Sequence, residues 1–148
     1  MASWGVVAGM KKRLARALVA WLLAGCAHAQ APEPGLKRAE LGAGGKTRTY
    51  LFSAPPGEGK RPLVVSLHGR LGDGKGQAKL THLGEVAARE GFIVVFPDGL
   101  DRSWADSRGV TPSSEKGVDD VAFLTALIDE FVAHHQADPE RVYMVGMS

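Results

Sequence analysis

Residues 143–148 read Tyr-Met-Val-Gly-Met-Ser, and Gly146-Met147-Ser148 is the first half of the pattern Gly-x-Ser-x-Gly. In that pattern the serine sits on a sharp turn between a buried strand and a helix, where its hydroxyl can attack an acyl carbon. Gly146 suits a turn that leaves no room for a side chain beside the serine. The plainer alternative is a strand followed by a small polar residue, since Gly-x-Ser is common by chance. A second group, His68-Gly69-Arg70, directly follows the apolar run Leu63-Val64-Val65-Ser66-Leu67. There the backbone can turn at Gly69 so that the Arg70 N–H points at a developing oxyanion. His68 would support this loop and need not act as a base. The alternative is an ordinary turn with a partly buried histidine.

Two further patterns compete for the same loops. Gly69 to Gly74-Lys75 satisfies G-x-x-x-x-G-K between a strand and a helix, where phosphate-binding loops belong. It fails at Gly76, which has no hydroxyl to ligate a metal ion, so no nucleotide is expected. Asp98 to Asp106 forms a loop in which Trp104 either lines an acyl or aromatic substrate pocket or simply packs, and packing is the preferred reading. Asp106 would brace that loop. His134 and His135 are placed to meet the last carbonyls of a helix, and His82 lies on a helix surface. None of these histidines is spaced with acids as a metal-ligand set, and no cofactor is implied.

The elements that must position these residues follow from patterning. Residues 36–41 and 47–54 read as an antiparallel hairpin around Gly42-Ala43-Gly44-Gly45, and Pro55-Pro56-Gly57 closes it. From Pro62 the chain alternates strand and helix. Residues 63–67 and 92–96 are short, continuously apolar and β-branched, which suits parallel strands covered on both faces. A helix is expected near 78–90, with Leu80, Leu83 and Val86/Ala87 inward and Gly91 at its end. A second helix is expected over about 118–135, with Val121, Leu124, Ile128 and Phe131/Val132 on one face. Asp119 and Asp120 would complement its first N–H groups. Asp138-Pro139-Glu140 turns into the last strand. Strand, helix, strand, helix, strand with short connections specifies an α/β fold with a mostly parallel sheet, and ligands of such sheets bind beyond the C-terminal ends of the strands.

Charge and composition narrow the function. The first 29 residues carry Lys11, Lys12, Arg13 and Arg16 and no acid. The other 119 carry 14 basic and 16 acidic side chains, net −2, so nucleic acid is not an expected partner. The basic residues, the short apolar run Ala17 to Gly25 and Ala27-His28-Ala29 read as a secretory signal over 1–29, cleaved before Gln30. Leu23-Ala24-Gly25-Cys26 equally resembles a lipobox, in which case Cys26 is lipidated and the protein is membrane-anchored. Cys26 is the only cysteine, which leaves the body without a disulfide or a thiolate metal site. Residues 30–35 form a Pro-rich spacer, and 36–148 form the domain.

Residues 46–148 resemble the N-terminal half of the secreted poly(3-hydroxybutyrate) depolymerase/feruloyl esterase family of α/β-hydrolases. The resemblance is carried by Arg48-Thr49-Tyr50-Leu51, the 63–69 and 91–99 stretches, Arg102-Ser103-Trp104, Val118 to Leu124, and Asp138 to Tyr143 leading into Gly146-Met147-Ser148. It implies a carboxylic ester hydrolase acting on polyester or acylated plant polysaccharide, with Ser148 as nucleophile. Arg70 then stands where many relatives carry Cys, a change of little consequence if only its N–H is used. The order Ser, acid, His along such chains puts the acid and base after Ser148, where this sequence has no residues. The second oxyanion donor would also follow Ser148, whose own terminal carboxylate opposes an oxyanion. The expectation is therefore a fragment, truncated after the nucleophile strand and without triad-level activity as written. An exported non-catalytic binding module and a serine peptidase of the same fold are the alternatives.

Overall fold

A computed structural model describes residues 35–106 and 108–148. The proposed signal, Cys26 and the spacer up to residue 34 lie outside the described residues. Five strands form one sheet in the order β1-β2-β4-β3-β5: β1 (Lys37–Ala43), β2 (Lys46–Ser53), β3 (Arg61–Leu67), β4 (Ile93–Pro97) and β5 (Ala137–Gly146). β1 and β2 pair antiparallel with Ala43 opposite Lys46, which leaves a two-residue loop. Both loop residues, Gly44 and Gly45, have positive φ (56° and 71°), as a type I′ turn requires. β2 runs antiparallel to β4, and β3 is parallel to both β4 and β5. The fold is an α/β-hydrolase-like sheet with an antiparallel hairpin on one side.

The central strands β3 and β4 are covered on both faces, which explains their unbroken apolar runs. One face sets Tyr50, Phe52, Leu63, Val65, Ile93 and Val95 against α4 (Asp120–His134). The other sets Val94 and Phe96 against Ala78 and Ala87 of α1 (Gly74–Thr81) and α2 (Leu83–Glu90). Alternation along each strand therefore feeds two separate cores, as a period of two demands.

Three expectations change. The helix expected near 78–90 is two helices, broken at His82 with φ 53°. Thr81 marks the break: its hydroxyl donates to the Gln77 carbonyl and accepts weakly from the Leu83 N–H, in competition with the helix ladder. Leu80 consequently points outward, 58% exposed. On α4 the inward stripe is Asp120, Phe123, Leu127 and Phe131, with Leu124, Ile128 and Val132 flanking it. Val121 is 77% exposed and does not belong to it. The turn at Asp138-Pro139-Glu140 lies inside β5 as an irregularity, because Arg61 faces Ala137 but Leu63 faces Val142. Asp138 stabilises it by accepting from the Glu140 N–H and from Arg141 Nε at 2.8 Å. These contacts hold its carboxyl below the usual range, the Arg141 hydrogen bond most strongly.

A loop connects β4 to α4. It contains a short 3-10 turn at Leu100–Arg102 and α3 (Pro112–Glu115), capped by Thr111.

Candidate active site

Parallel pairing of β3 with β4 and β5 brings three chain segments to one end of the sheet: His68-Gly69, Asp98-Gly99 and Met147-Ser148. Leu67 is the register partner of Gly146, so the residues after each strand continue side by side. A Cβ at Gly69 would lie 2.8 Å from the Met147 carbonyl oxygen and 3.5 Å from that of Ser148. Gly69 is thus required by close backbone approach, not by an unusual φ. At Gly146 an added Cβ would meet Leu67 Cβ at 3.5 Å, an ordinary contact. Of the two glycines, Gly69 is the one crowded by backbone among the described residues. Ser148 itself is exposed and has φ 44°, a left-handed value unusual for a non-glycine residue.

The loop after β3 is a β-turn. Gly72 N–H donates to the Gly69 carbonyl at 2.9 Å, and Leu71 at the third position has φ 66°. Positive φ at that position alone defines a type II turn, which normally places glycine there. Leu71 instead accepts the strain, held by its own N–H donating to the Arg102 carbonyl at 2.8 Å. Asp101 and Arg102 are also left-handed (51° and 55°), so two strained turns are bonded to each other beside the site. The Arg70 N–H has no acceptor among the described residues, whereas those of Leu71 and Gly72 are committed. The Arg70 side chain is exposed.

His68 is buried and fully engaged. The Gly99 N–H donates to its Nε2 at 2.9 Å, so Nδ1 carries the proton and donates to the Gly69 carbonyl at 2.7 Å. A ring used in this way is a brace. Trp104 lies against it, ring centroids 5.0 Å apart, and its Nε1–H donates to the His68 carbonyl at 2.8 Å. Gly99 is needed here as well, since a Cβ would overlap the Ser103 carbonyl.

Beneath this bracket lies a buried ion pair whose role sequence reasoning missed. Arg48 donates to Asp120 at 2.7 Å and to the Asp98 carbonyl at 3.2 Å, with its guanidinium 4.1 Å above the Phe123 ring. The other Asp120 oxygen accepts from the Ala105 N–H at 2.6 Å. Asp119, beside it, is the residue that caps the helix, accepting from the Ala122 N–H. Buried Ser113 joins the loop from the far side, donating to the Leu100 and Ser103 carbonyls. Asp106 braces the outer loop by accepting from Arg108, which holds its carboxyl below the usual range.

The remaining histidines lie elsewhere. His82 faces Glu85 at 3.1 Å on the surface, and His134 lies 3.8 Å from Glu130. His135 stacks on Phe131 at 4.5 Å and meets the Phe52 ring edge-on, so its ring serves the core and not the helix carbonyls. The phosphate-loop pattern is also accounted for. Asp73 accepts from the Gly76 N–H at 2.6 Å, and Asp98 accepts from the Gly74 N–H at 2.7 Å. Two carboxylates therefore occupy the donors a phosphate would need. No group of three or more His, Cys, Asp or Glu side chains suited to a metal occurs among the described residues.

A family model described as Esterase PHB depolymerase matches residues 48–148. The chain is 33% identical over 111 residues to the bifunctional acetylxylan esterase/xylanase XynS20E of Neocallimastix patriciarum, covering 74% of this chain and 15% of that protein. It is 28% identical over 92 residues to feruloyl esterase B of Piromyces equi, covering 62% and 17%. Among solved structures, the acetyl xylan esterase of Aspergillus awamori superposes with TM-score 0.58 at 17% identity, covering 74% of this chain and 42% of that one. The chain spans between 15% and 35% of the length of four curated relatives it matches.

Proposed function

The chain belongs to the Esterase PHB depolymerase family, and from that premise we propose that Ser148 is the nucleophile of a secreted serine esterase. Its substrates would be polyesters or the acyl esters of plant polysaccharides. The observation that carries this reading is the close approach of Gly69 to the Met147-Ser148 backbone, where an added Cβ would lie 2.8 Å from the Met147 carbonyl oxygen, beside an Arg70 N–H with no acceptor among the described residues. In this reading the Ser148 hydroxyl attacks the ester carbonyl, and the Arg70 N–H donates to the oxygen that becomes negative. A histidine takes the serine proton and returns it to the departing alcohol, leaving an acyl-enzyme that water then hydrolyses.

None of the four described histidines is hydrogen-bonded to Ser148, and both ring nitrogens of His68 are used by its own loops. The reading therefore assigns the base, and the acid that orients it, to other residues. In the complete esterase domain, Ser148→Ala should lower kcat on p-nitrophenyl butyrate by about 10⁶-fold; retained turnover would overturn the nucleophile assignment. Triad-level turnover by the 148-residue chain, lost in Ser148→Ala, would instead place the base within these residues. Export is part of the reading and rests on the basic and apolar pattern before Gln30. Mass spectrometry of the mature N-terminus distinguishes cleavage after Ala29 from lipidation at Cys26, and an unprocessed Met would overturn export.

A further inference from the structure

Away from Ser148, a cleft of about 500 Å³ opens between helices α1 and α2 and the outer strands β1 and β2. Its apolar lining is Leu36, Leu51 and Ala78, of which Ala78 is buried and Leu36 exposed, and its cationic lining is Arg38, Lys75 and Lys79. Lys75, Ala78, Lys79 and His82 are spaced i, i+3, i+4 and i+7, so they share one face of α1 and its end. Two lysines four apart repel one another, and neither has an ion-pair partner among the described residues. The one carboxylate in the lining, Glu85, is turned to His82 at 3.1 Å. Arg38 has its nearest carboxylate at 3.6 Å, on Asp98, and is itself largely exposed.

From this arrangement we infer that the cleft binds an amphiphilic carboxylate, with its anionic head between Lys75, Lys79 and Arg38 and its apolar body on Leu36, Leu51 and Ala78. An apolar pocket with a few convergent charges fixes the orientation of such a ligand. A purely polar polyanion fits less well, because none of the described residues lining the cleft is aromatic and offers a face for sugar rings to stack on. A phosphate fits less well too, because Asp73 already occupies the Gly76 N–H at the start of α1. A second cleft of about 350 Å³ shares Arg38, Leu51 and Lys75 and continues to Gly72 and Arg102. There Arg38, Arg48, Lys75 and Arg102 are offset by Asp73, Asp98 and Asp101, whereas in the first cleft Arg38, Lys75 and Lys79 face only Glu85 among the described residues. The inference does not rest on the serine chemistry.

Titration of the 148-residue chain with decanoate below its micellar concentration, followed by amide NMR, tests it. Saturable shifts are expected at Leu51 and along residues 74–85, and they should weaken as salt screens the lysines. Lys75→Gln with Lys79→Gln should weaken binding about tenfold, as the loss of two partly exposed charge contacts predicts. Both side chains are exposed, so the fold should survive, and unchanged circular dichroism checks this. Ser148→Ala should leave binding unchanged. Equal affinity in the double variant, equal binding of decanol, or shifts confined to the exposed Tyr143–Val145 stretch would overturn the inference. Polygalacturonate binding more tightly at the same residues would replace the amphiphile with an acidic polysaccharide.

Discussion

Around His68, nearly every polar contact is made by a side chain: the imidazole braces Gly69 and Gly99, Trp104 holds the His68 carbonyl, and the Arg48–Asp120 pair fastens Asp98 and Ala105. Around Ser148, the contacts among the described residues are of main chain. β5 pairs with β3 up to Leu67–Gly146, and Tyr143, Met144, Val145 and Met147 are all at least 43% exposed. The two sides of one site are thus built by different means. The His68 side is preorganised by a buried network, and the Ser148 side takes its place from strand register. The first kind of order is sensitive to single side chains, and the second to the backbone approach at Gly69.

That contrast can be broken most sharply at Asp120. Replacing it with Ala strands the Arg48 guanidinium in the core and should cost about 3–5 kcal/mol in denaturant unfolding. Replacing both partners with apolar residues (Arg48→Met with Asp120→Leu) should cost much less, because no buried charge is left unpaired. Gly69→Ala should come next, at about 1–3 kcal/mol, because its methyl would press on backbone that cannot yield as a side chain would. Gly146→Ala, by contrast, should cost less than about 1 kcal/mol, since its methyl finds an ordinary contact. Equal losses at the two glycines would show that the sites do not meet as described.

Trp104→Phe tests the bracket alone. It keeps most of the packing and removes the donor to the His68 carbonyl, so a loss of about 1–2 kcal/mol is expected, with faster amide exchange at Gly69–Gly72. The smallest effect is a pH dependence outside the site. Burial against Phe52 and Phe131 holds the His135 imidazole below the ordinary histidine range, opposed in part by Glu130. Below about pH 6.5 the unfolded chain takes up a proton there before the folded chain does, so stability falls as pH drops from that value toward the lowered pKa. His135→Phe should flatten the urea midpoint across that window while leaving the site-region variants unaffected.

Much of this was legible because it depends on neighbours in sequence. Gly44-Gly45 specifies a tight hairpin, and the apolar runs of β3 and β4 specify strands covered on both faces. The positions of His68 and Ser148 just beyond strand ends, and of Trp104 in the loop after β4, follow from the alternation of strands and helices. Local signals were weaker where two structures compete over one or two residues, as at His82, where a single left-handed residue splits the expected helix. On α4, Val121 and Phe123 are both apolar, and only the position of the sheet decides that Phe123 is covered and Val121 exposed.

The sequence by itself determined the α/β alternation, the hairpin, and the places of His68-Gly69 and Ser148 just after strands, since turn chemistry and hydrophobic period act over a few residues. Only the tertiary structure decided that Arg48 meets Asp120 across 72 positions, that Trp104 serves the His68 carbonyl, and that Gly69 lies against the backbone of a distant segment. Those outcomes depend on which backbone segments the sheet register brings within a few ångströms, a quantity that no local pattern encodes.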